Sequence, residues 1–414
     1  MPAPRWVPPF PRAGARTRCV ALAALVLVAA VSYAWAANGQ VLEIYYAAAV
    51  RSMASSWHNF FFGALDPAGT VSLDKLPGAF WIQALTVRVF GLHTWAIVLP
   101  QIVEGAATVV ALSVVVRRAA GTIAGLGAAA LLVLSPATVA LDRGNISDSL
   151  LILLMVLAAA ATTRAMASGR LRTLLIAGLL VGLAFQAKML EAWILLPALA
   201  VPYAVAAPGS VRRRIGHLAL AGVVVVVVSL SWMTVVALIP AHARPYADGS
   251  HDNSTYAQVF QYNGLGRAQS PLAVAGHADP AVAPLLGAFT ISHGPGWDRL
   301  LVGRAGQDIA WLLPAALLAA IAVLLVRRRR DRTDPVRAAV LMWGLWLVTL
   351  CVAFSVAGQI NPYYLAALSP PVAALCAMGG QTFWRARGRR EAWVALAAVV
   401  AITAVYAVVL LPPH

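Results

Sequence analysis

The sequence predicts an all-α integral membrane protein: a polytopic bundle of about eleven transmembrane helices with two ordered loops outside the membrane. Three observations support this fold class. Hydrophobic residues make up 61% of the 414 residues and charged residues 11%, too few for the surface of a soluble chain of this length. Several apolar runs approach the roughly 20 residues that cross a bilayer. Basic clusters fall into every second gap between these runs.

The expected spans follow the apolar runs in order. They are 19–37, 95–116, 121–140, 147–166, 171–187, 189–206, 217–239, 309–326, 337–356, 363–380 and 392–411. The apolar stretch 77–90 is short for a span, so we expect an interfacial or re-entrant helix there. The arginines before the first run also resemble a signal peptide, but the length of that run favours a retained span.

The charges set the expected orientation. Loops that carry lysine and arginine clusters stay on the cytoplasmic side of a membrane. A multi-pass protein of the cell (plasma) membrane is therefore expected, with a cytoplasmic N-terminus and a single domain over 1–414. Segments 38–94 and 240–308 then form the two long outer loops, the first with short membrane-surface helices. Most acidic residues fall on this outer side, where we expect the active site.

The composition also bounds the partners. The net charge of +16 is explained by basic residues beside apolar spans, so no nucleic-acid partner is expected. The three cysteines lie in or beside predicted spans and imply neither a disulfide framework nor a metal cluster. The cytoplasmic loops are too short for a nucleotide-binding domain. An activated substrate used outside would therefore have to arrive through the lipid phase.

The first outer loop opens with Glu43, directly after the first span. A carboxylate held against the membrane face is partly desolvated and can serve as a general base, although an ordinary exposed loop acid is the alternative. Tyr46 and His58 lie in the aromatic stretches that follow, and such stretches suit the headgroup zone. Both are candidates for substrate binding.

Asp74 and Lys75 precede the short apolar helix of the same loop. Backbone N–H groups and the helix dipole favour an anion at a helix N-terminus. Lys75 is therefore a candidate ligand of a lipid phosphate, with an interfacial anchor as the alternative. Asp74 is a candidate for substrate binding.

The short outer gap after the third span contains Asp142, Arg143 and Asp148. Polar groups at a span end are costly unless they are used or reach the interface. We therefore consider the two aspartates for substrate binding and Arg143 for the donor phosphate. A structural alternative exists for Asp148, because it and Ser147 could cap the following helix.

A lysine interrupts the next apolar stretch. Lys188 and Glu191 are three residues apart, so they can pair on one helical face. This pair could be only structural, or Lys188 could be a second phosphate-binding lysine.

The large outer loop is rich in Asp, Asn, Gln and aromatic residues, which together resemble a surface that binds sugar hydroxyls and stacks sugar rings. The candidates there are Arg244 for the phosphate and Asp252, Asn253, Tyr262 and Asn263 for the substrate. His251 beside Asp252 is weak evidence for a metal site, because two adjacent ligands are too few. The need for a metal is thus unknown, and no cofactor is certain; a divalent cation is one option.

These loops resemble those of the GT-C type integral-membrane glycosyltransferases, in particular the protein mannosyltransferase and aminoarabinose (lipid A) transferase-like group. The matching motifs are Glu43–Val50, Ser56–Gly63, Asp74–Pro77, Arg143–Asp148, Lys188–Leu190, Arg244–Tyr246, Asp252–Ser254, Tyr262–Arg267 and Asn361–Tyr364. They are spread over nearly the whole chain. One departure is Leu76, which stands where the family has the first of two prolines and is expected to loosen the helix start.

The resemblance implies a membrane glycosyltransferase with a polyprenyl-phosphate sugar donor, transfer on the outer face and inversion at the anomeric carbon. It implies that Glu43 is the catalytic base and that Lys75 binds the donor phosphate. The acceptor would be an unknown glycan, lipid or protein of the cell envelope, and membrane lipids are further expected partners.

Two alternatives remain open from the sequence. A transporter or lipid flippase would also need many spans and buried charges, but Glu104 is the only acid well inside a predicted span and no internal repeat is visible. An inactive relative that binds a partner is the second alternative.

Overall fold

The computed structural model describes residues 14–266 and 294–410. Within these ranges the chain is built from helices, with two isolated β-bridges, Ala64 to Ser72 and Val71 to Tyr246. The α-helices are α1 Ala15–Ala34, α2 Ile44–Ser55, α3 Trp57–Phe62, α4 Gly78–Phe90, α5 Thr94–Ala120, α6 Thr122–Val133, α7 Pro136–Asp142, α8 Asp148–Ser168, α9 Leu171–Lys188, α10 Leu196–Ala206, α11 Val211–Ala237, α12 Gly303–Asp308, α13 Leu313–Val326, α14 Pro335–Val356, α15 Ser369–Arg385 and α16 Arg390–Leu410. A π-helix covers Ala257–Leu265.

The predicted membrane-spanning architecture is confirmed. In the described ranges, eight helical segments are long and apolar enough to cross a bilayer. A ninth is obtained if α6 and α7, which meet at a bend of 63°, form one broken span. The count of eleven is not established: the segment Ala310–Val326 is apolar but short, and 171–206, which covers two predicted spans, is counted as one segment.

The segment 171–206 reverses direction near its middle. Pro208, just after α10, packs against Gly169, just before α9, and the Arg213 side chain donates to the Gly169 carbonyl at 3.3 Å. The start of α9 and the end of α10 are thus neighbours, so the chain runs out to Lys188 and returns. Lys188 occupies the tip of this helical hairpin, as expected from two predicted spans separated at this residue.

Basic clusters from different loops meet at one end of the bundle, which we call the basic end. Arg385 donates to the Ala120 carbonyl at 3.4 Å, and Arg332 donates to the Ala207 carbonyl at 2.8 Å. Arg118 lies within electrostatic range of Arg164. The sequence pattern thus corresponds to a real separation of charge, while the side of the membrane that this end faces stays a prediction.

The segment 38–94, predicted as the first outer loop, packs as a small helical layer at the end opposite the basic end. The Tyr46 ring of α2 stacks on Phe80 of α4 with centroids 4.8 Å apart, and the Trp81 indole donates to the Phe60 carbonyl at 2.7 Å. The predicted short helix at 77–90 is observed as α4. Leu76, the departure from the family motif, is fully buried, and the adjacent Pro77 immediately precedes α4.

Gly78 places α4 directly against the hairpin tip. A β-carbon at this position would come within 2.5 Å of the Gln186 carbonyl oxygen. We therefore expect Gly78→Ala to lower the free energy of unfolding by about 1–3 kcal/mol, because a backbone neighbour cannot move aside as a flexible side chain can. Thermal unfolding of the purified protein in detergent measures this loss.

Gly344 of α14 is the matched control, since a β-carbon there would meet no atom within 4 Å. Gly344→Ala should leave the unfolding midpoint unchanged or raise it slightly, because alanine favours a helix. Equal losses in both variants would contradict the close approach of α4 to the hairpin.

Candidate functional site

Lys188 is the centre of a buried charge cluster at the hairpin tip. Its side chain is 4% exposed and pairs with Asp148 at the start of α8 and with Glu191 at 2.9 Å. Its ammonium also lies 3.7 Å from the centroid of the Tyr364 ring. Met189 has a φ of 51°, an unusual value for a non-glycine residue, and this local turn ends α9 so that Lys188 and Glu191 face one site. The predicted pair is confirmed.

Lys75 joins the same cluster from the first loop. Its side chain is 4% exposed, pairs with Asp74 at 2.8 Å and lies 5.1 Å from the Tyr46 ring centroid. It is within electrostatic range of both carboxylates that hold Lys188, namely Asp148 and Glu191. The structure thus brings together two lysines that are far apart in the sequence.

The two lysines line one cavity of about 580 Å³. Its polar lining comes from Lys75, Lys188, Glu191, Asn263, Gln359 and Tyr364. Its apolar lining includes Ile194, Phe260, Leu265, Phe354 and Val356. Leu265 and Val356 are 67% and 65% exposed, so the apolar wall reaches the outer surface of the bundle. The Glu191 Oε1 atom is buried without a hydrogen-bond partner in the described part of the chain.

The Tyr45 hydroxyl holds the Asp74–Lys75 turn in place through two hydrogen bonds. It donates to Asp248 Oδ2 at 2.6 Å and accepts from the Asp74 backbone N–H at 2.7 Å. Burial raises the pKa of the Tyr45 phenol, and the nearby Asp74 and Asp248 carboxylates raise it further, so the hydroxyl keeps the proton that it donates. Tyr45 thereby ties the first loop to the large loop.

Side chains of the π-helix also hold the Asp74–Lys75 turn. The Gln258 amide donates to the Leu73 carbonyl at 2.7 Å, and the Asn263 amide donates to the Asp74 carbonyl at 2.7 Å. These side chains are five residues apart, and the wider turn of a π-helix can bring such positions onto one face. Of the residues predicted in the large loop, Asn263 is therefore brought to the lysine cluster.

Glu43 is held through its backbone by the segment that leads into α8. Its N–H donates to the Asn145 side-chain oxygen at 2.8 Å, and the Asn145 amide donates back to the Glu43 carbonyl at 3.1 Å. Asn145 is three residues before Asp148, and Glu43 is two before Tyr45. Glu43 is half-buried and is not among the residues that line the cavity, so its role as a base remains a prediction.

Two predicted residues next to α8 make other contacts. Asp142 is buried and accepts a hydrogen bond from Ser149 at 2.7 Å. Arg143 donates to the Ser32 carbonyl of α1 at 2.8 Å and so anchors the first helix. Ser147 makes no cap hydrogen bond to the α8 backbone. Neither Asp142 nor Arg143 is brought to the lysine cluster.

Arg244 and Asn253 form a unit within the large loop. Arg244 donates to the Asn253 side-chain oxygen at 2.9 Å and to its carbonyl at 2.8 Å. Asn253 has a left-handed backbone with a φ of 57°. These bonds close a loop, and they give Arg244 a structural role rather than contact with the cavity.

The remaining candidates lie at the loop surface. Asp252 is exposed and accepts from the Ser254 N–H at 3.2 Å, while the Tyr262 ring covers Gly249 and is 41% exposed. His58 is also exposed, with its ring 4.8 Å from that of Phe62. The contacts of Asp252 and His58 in the described ranges do not reach the lysine cluster.

The described residues contain no group of three or more His, Cys, Asp or Glu that could hold a metal ion. The sequence prediction missed Tyr45, Asp248, Gln258 and Asn145, each of which acts through a contact distant in the chain. Tyr45 and Asn145 had a sequence signal, because they lie inside the family motifs Glu43–Val50 and Arg143–Asp148.

Comparisons with known proteins identify the fold. A family model for dolichyl-phosphate-mannose-protein mannosyltransferases matches residues 74–232. The chain is 32% identical over 443 residues to "Putative mannosyltransferase YycA" of Bacillus subtilis (strain 168), covering 89% of this chain. The crystal structure of ArnT from Cupriavidus metallidurans bound to undecaprenyl phosphate superposes with a TM-score of 0.62 at 20% identity, over 89% of this chain and 60% of that one. This chain has the GT-C glycosyltransferase fold.

The resemblance inferred from the motifs is thereby confirmed. A further GT-C neighbour is the archaeal oligosaccharyltransferase AglB from Archaeoglobus fulgidus in complex with an inhibitory peptide and a dolichol-phosphate, with a TM-score of 0.56, 12% identity and coverage of 94% of this chain and 55% of that one. The chain spans 64% of the length of YycA. The family-model match begins at Asp74 and includes both cluster lysines.

The buried charge cluster predicts a large stability effect at Lys188. Lys188→Met would leave Asp148 and Glu191 buried without their cation, so we expect the free energy of unfolding to fall by about 3–5 kcal/mol. Thermal or chemical unfolding in detergent measures it. The control is Arg304→Met, which removes a pair with Asp308 at 3.8 Å whose arginine is 64% exposed. That change should have little effect, and a loss as large as that of Lys188→Met would contradict the buried cluster.

Proposed function

We propose that this protein is a membrane glycosyltransferase that moves a sugar from a polyprenyl-phosphate-linked donor to an acceptor hydroxyl. The observation that carries the proposal is the pair of buried lysines, Lys75 and Lys188, in one cavity at the end opposite the basic loops. Two GT-C neighbours have lipid phosphates in their structures, undecaprenyl phosphate in ArnT and dolichol-phosphate in AglB. The end that carries the cavity would be extracytoplasmic.

The charges of the cluster suit a phosphate ester. A phosphate that leaves during sugar transfer gains negative charge, and fixed cations in a poorly hydrated site stabilise that charge. Lys188 is already paired with two carboxylates, Asp148 and Glu191. Lys75 lies close to the N-terminus of α4, where the helix dipole favours an anion. We therefore assign Lys75 as the principal phosphate ligand, with Lys188 as support.

The cavity wall suits the rest of such a donor. Its apolar side, with Phe260, Leu265 and Val356, can contact the isoprenoid chain from the bilayer. Its polar side includes the Glu191, Asn263 and Gln359 side chains. A sugar presents hydroxyl groups that donate and accept hydrogen bonds, so these groups would orient the sugar over the lysines.

In the proposed reaction the acceptor oxygen forms a bond to the anomeric carbon while the bond from that carbon to the phosphate oxygen breaks. Attack from the face opposite the phosphate inverts the anomeric configuration. The Glu43 carboxylate receives the proton of the acceptor hydroxyl, and the polyprenyl phosphate leaves toward Lys75. Asn145 contributes by fixing the backbone on both sides of the Glu43 side chain. The acceptor would be a glycan, lipid or protein of the cell envelope.

Replacement of the base tests the reaction. Glu43→Gln should lower the transfer rate about 10²- to 10⁴-fold, because the amide cannot accept the proton, while donor binding is retained. Transfer from a polyprenyl-phosphate sugar by the full chain in proteoliposomes, followed by mass spectrometry of the product, measures the rate. Glu391→Gln, the same change at an exposed carboxylate of α16, is the matched control and should keep full activity.

Unchanged turnover in Glu43→Gln would refute the role of Glu43. Movement of the donor across the bilayer without formation of a glycosidic bond would instead support a transporter or lipid flippase.

A second experiment separates the lysines from the arginines. Lys75→Met should weaken binding of the donor lipid by about 10- to 100-fold, the loss expected for one charge-assisted contact to phosphate. Arg143→Met should leave this affinity unchanged and lower thermal stability, because Arg143 contacts the Ser32 carbonyl. Binding of a polyprenyl phosphate to the purified variants gives both affinities, and the reverse order of effects would contradict the assignment.

A further inference from the structure

A second pair of acidic side chains lies inside the bundle, away from the lysine cavity. Glu104 of α5 is 8% exposed and Asp142 at the end of α7 is 2% exposed. The two carboxylates are within electrostatic range of each other. In the described part of the chain neither forms a salt bridge, and the neighbouring Arg143 is directed to the Ser32 carbonyl of α1 instead. The proposed transferase reaction does not use this pair.

Gly105 is the reason that these groups can come together. The space over its α-carbon is filled by the Asp142 carboxylate and by the edge of the Tyr33 ring from α1. Any larger residue at position 105 would displace both. Ser149 of α8 donates to the other oxygen of Asp142 at 2.7 Å. Four helices, α1, α5, α7 and α8, thus contribute to one point.

Tyr33 supplies a second, independent observation at this point. Its side chain is fully buried, and its hydroxyl has no hydrogen-bond partner in the described ranges. The same hydroxyl is within electrostatic range of Asp142. A buried polar atom without a hydrogen-bond partner is uncommon and requires an explanation. A bound ion is one such explanation.

Two carboxylates in a weakly polar interior repel each other and lose their hydration, so they need a positive charge nearby. The oxygen atoms around this point are carboxylate, phenol and hydroxyl, which are the ligands that hard cations prefer. We propose that Glu104, Asp142 and Tyr33 form a binding site for a hard, oxygen-liganded cation such as Na⁺, Mg²⁺ or Ca²⁺. Ser149 completes the site by orienting Asp142.

The site has a consequence for the neighbouring cluster. Ser149 directly follows Asp148, the partner of Lys188. A cation that draws α5 and α7 together would therefore hold the start of α8 in place and, with it, the carboxylate that positions Lys188. Its contribution is structural, because none of its ligands lines the lysine cavity.

Cation-dependent stability of the full chain tests the proposal. The purified protein, treated with a chelator and exchanged into choline chloride, is unfolded thermally with added NaCl, KCl, MgCl₂ or CaCl₂ at constant ionic strength. We expect a saturable rise of several degrees in the unfolding midpoint with at least one cation, since a ligand of the native state stabilises it. The comparison of Na⁺ with Mg²⁺ and Ca²⁺ distinguishes a monovalent from a divalent site.

Substitutions test whether the proposed ligands cause the cation-dependent rise. Glu104→Gln and Asp142→Asn should lose the cation-dependent rise, and each should be at least as stable as the wild type in choline chloride because one buried negative charge is gone. If either variant fails to fold, Tyr33→Phe is a milder change. The unfolding midpoint of Tyr33→Phe should rise only at a higher cation concentration than that of the wild type. Glu391→Gln, at an exposed carboxylate of α16, should keep the full rise.

Two results would overturn the proposal. The first is an unfolding midpoint that does not depend on the cation, in which case a shared proton neutralises the pair. The second is a rise of equal size in Glu104→Gln, Asp142→Asn and the wild type, which would place the cation elsewhere.

Discussion

The arrangement of this protein depends on the neutralisation of Lys188 within the membrane domain. A lone ammonium in such a place would be too costly, and the chain meets the cost with Asp148 and Glu191 on one side and the face of Tyr364 on the other. These partners belong to α8, to the hairpin of α9 and α10, and to the segment before α15. The helices that carry them are therefore required to converge at one point, and the cavity is the space left beside that point.

The sequence predicted the parts of this structure that depend on local pattern. Apolar runs and arginine clusters predicted the spans and the basic end, because bilayer thickness and loop charge act on each segment separately. The Lys188–Glu191 pair was predictable from a spacing of three residues. Lys75 and Asp74 could be identified because they precede a short apolar helix, and Asn263 because it belongs to a polar loop motif.

The contacts that assemble the site were not predictable in this way. Tyr45 bridges Asp248 and the Asp74 backbone across about 200 residues of sequence, and nothing in the spacing of these residues indicates the contact. The two arginines predicted to bind the phosphate show the opposite case, a sequence signal without the expected contact. Arg143 and Arg244 bind backbone carbonyl groups, and a basic residue at a span end gives the same sequence signal whether it contacts carbonyl groups or a ligand. Only the folded chain separates these two uses.

The apolar wall of the cavity reaches the outer surface of the bundle at Leu265 and Val356, where lipid would surround a membrane-spanning bundle. A lipid-linked donor would therefore enter sideways, by lateral diffusion within the leaflet, without crossing water. The quantity that governs occupancy of such a site is the mole fraction of donor in the bilayer and not its bulk concentration. Adding inert phospholipid at a fixed amount of donor would then slow the reaction by surface dilution, and the composition of the surrounding membrane would set the working rate.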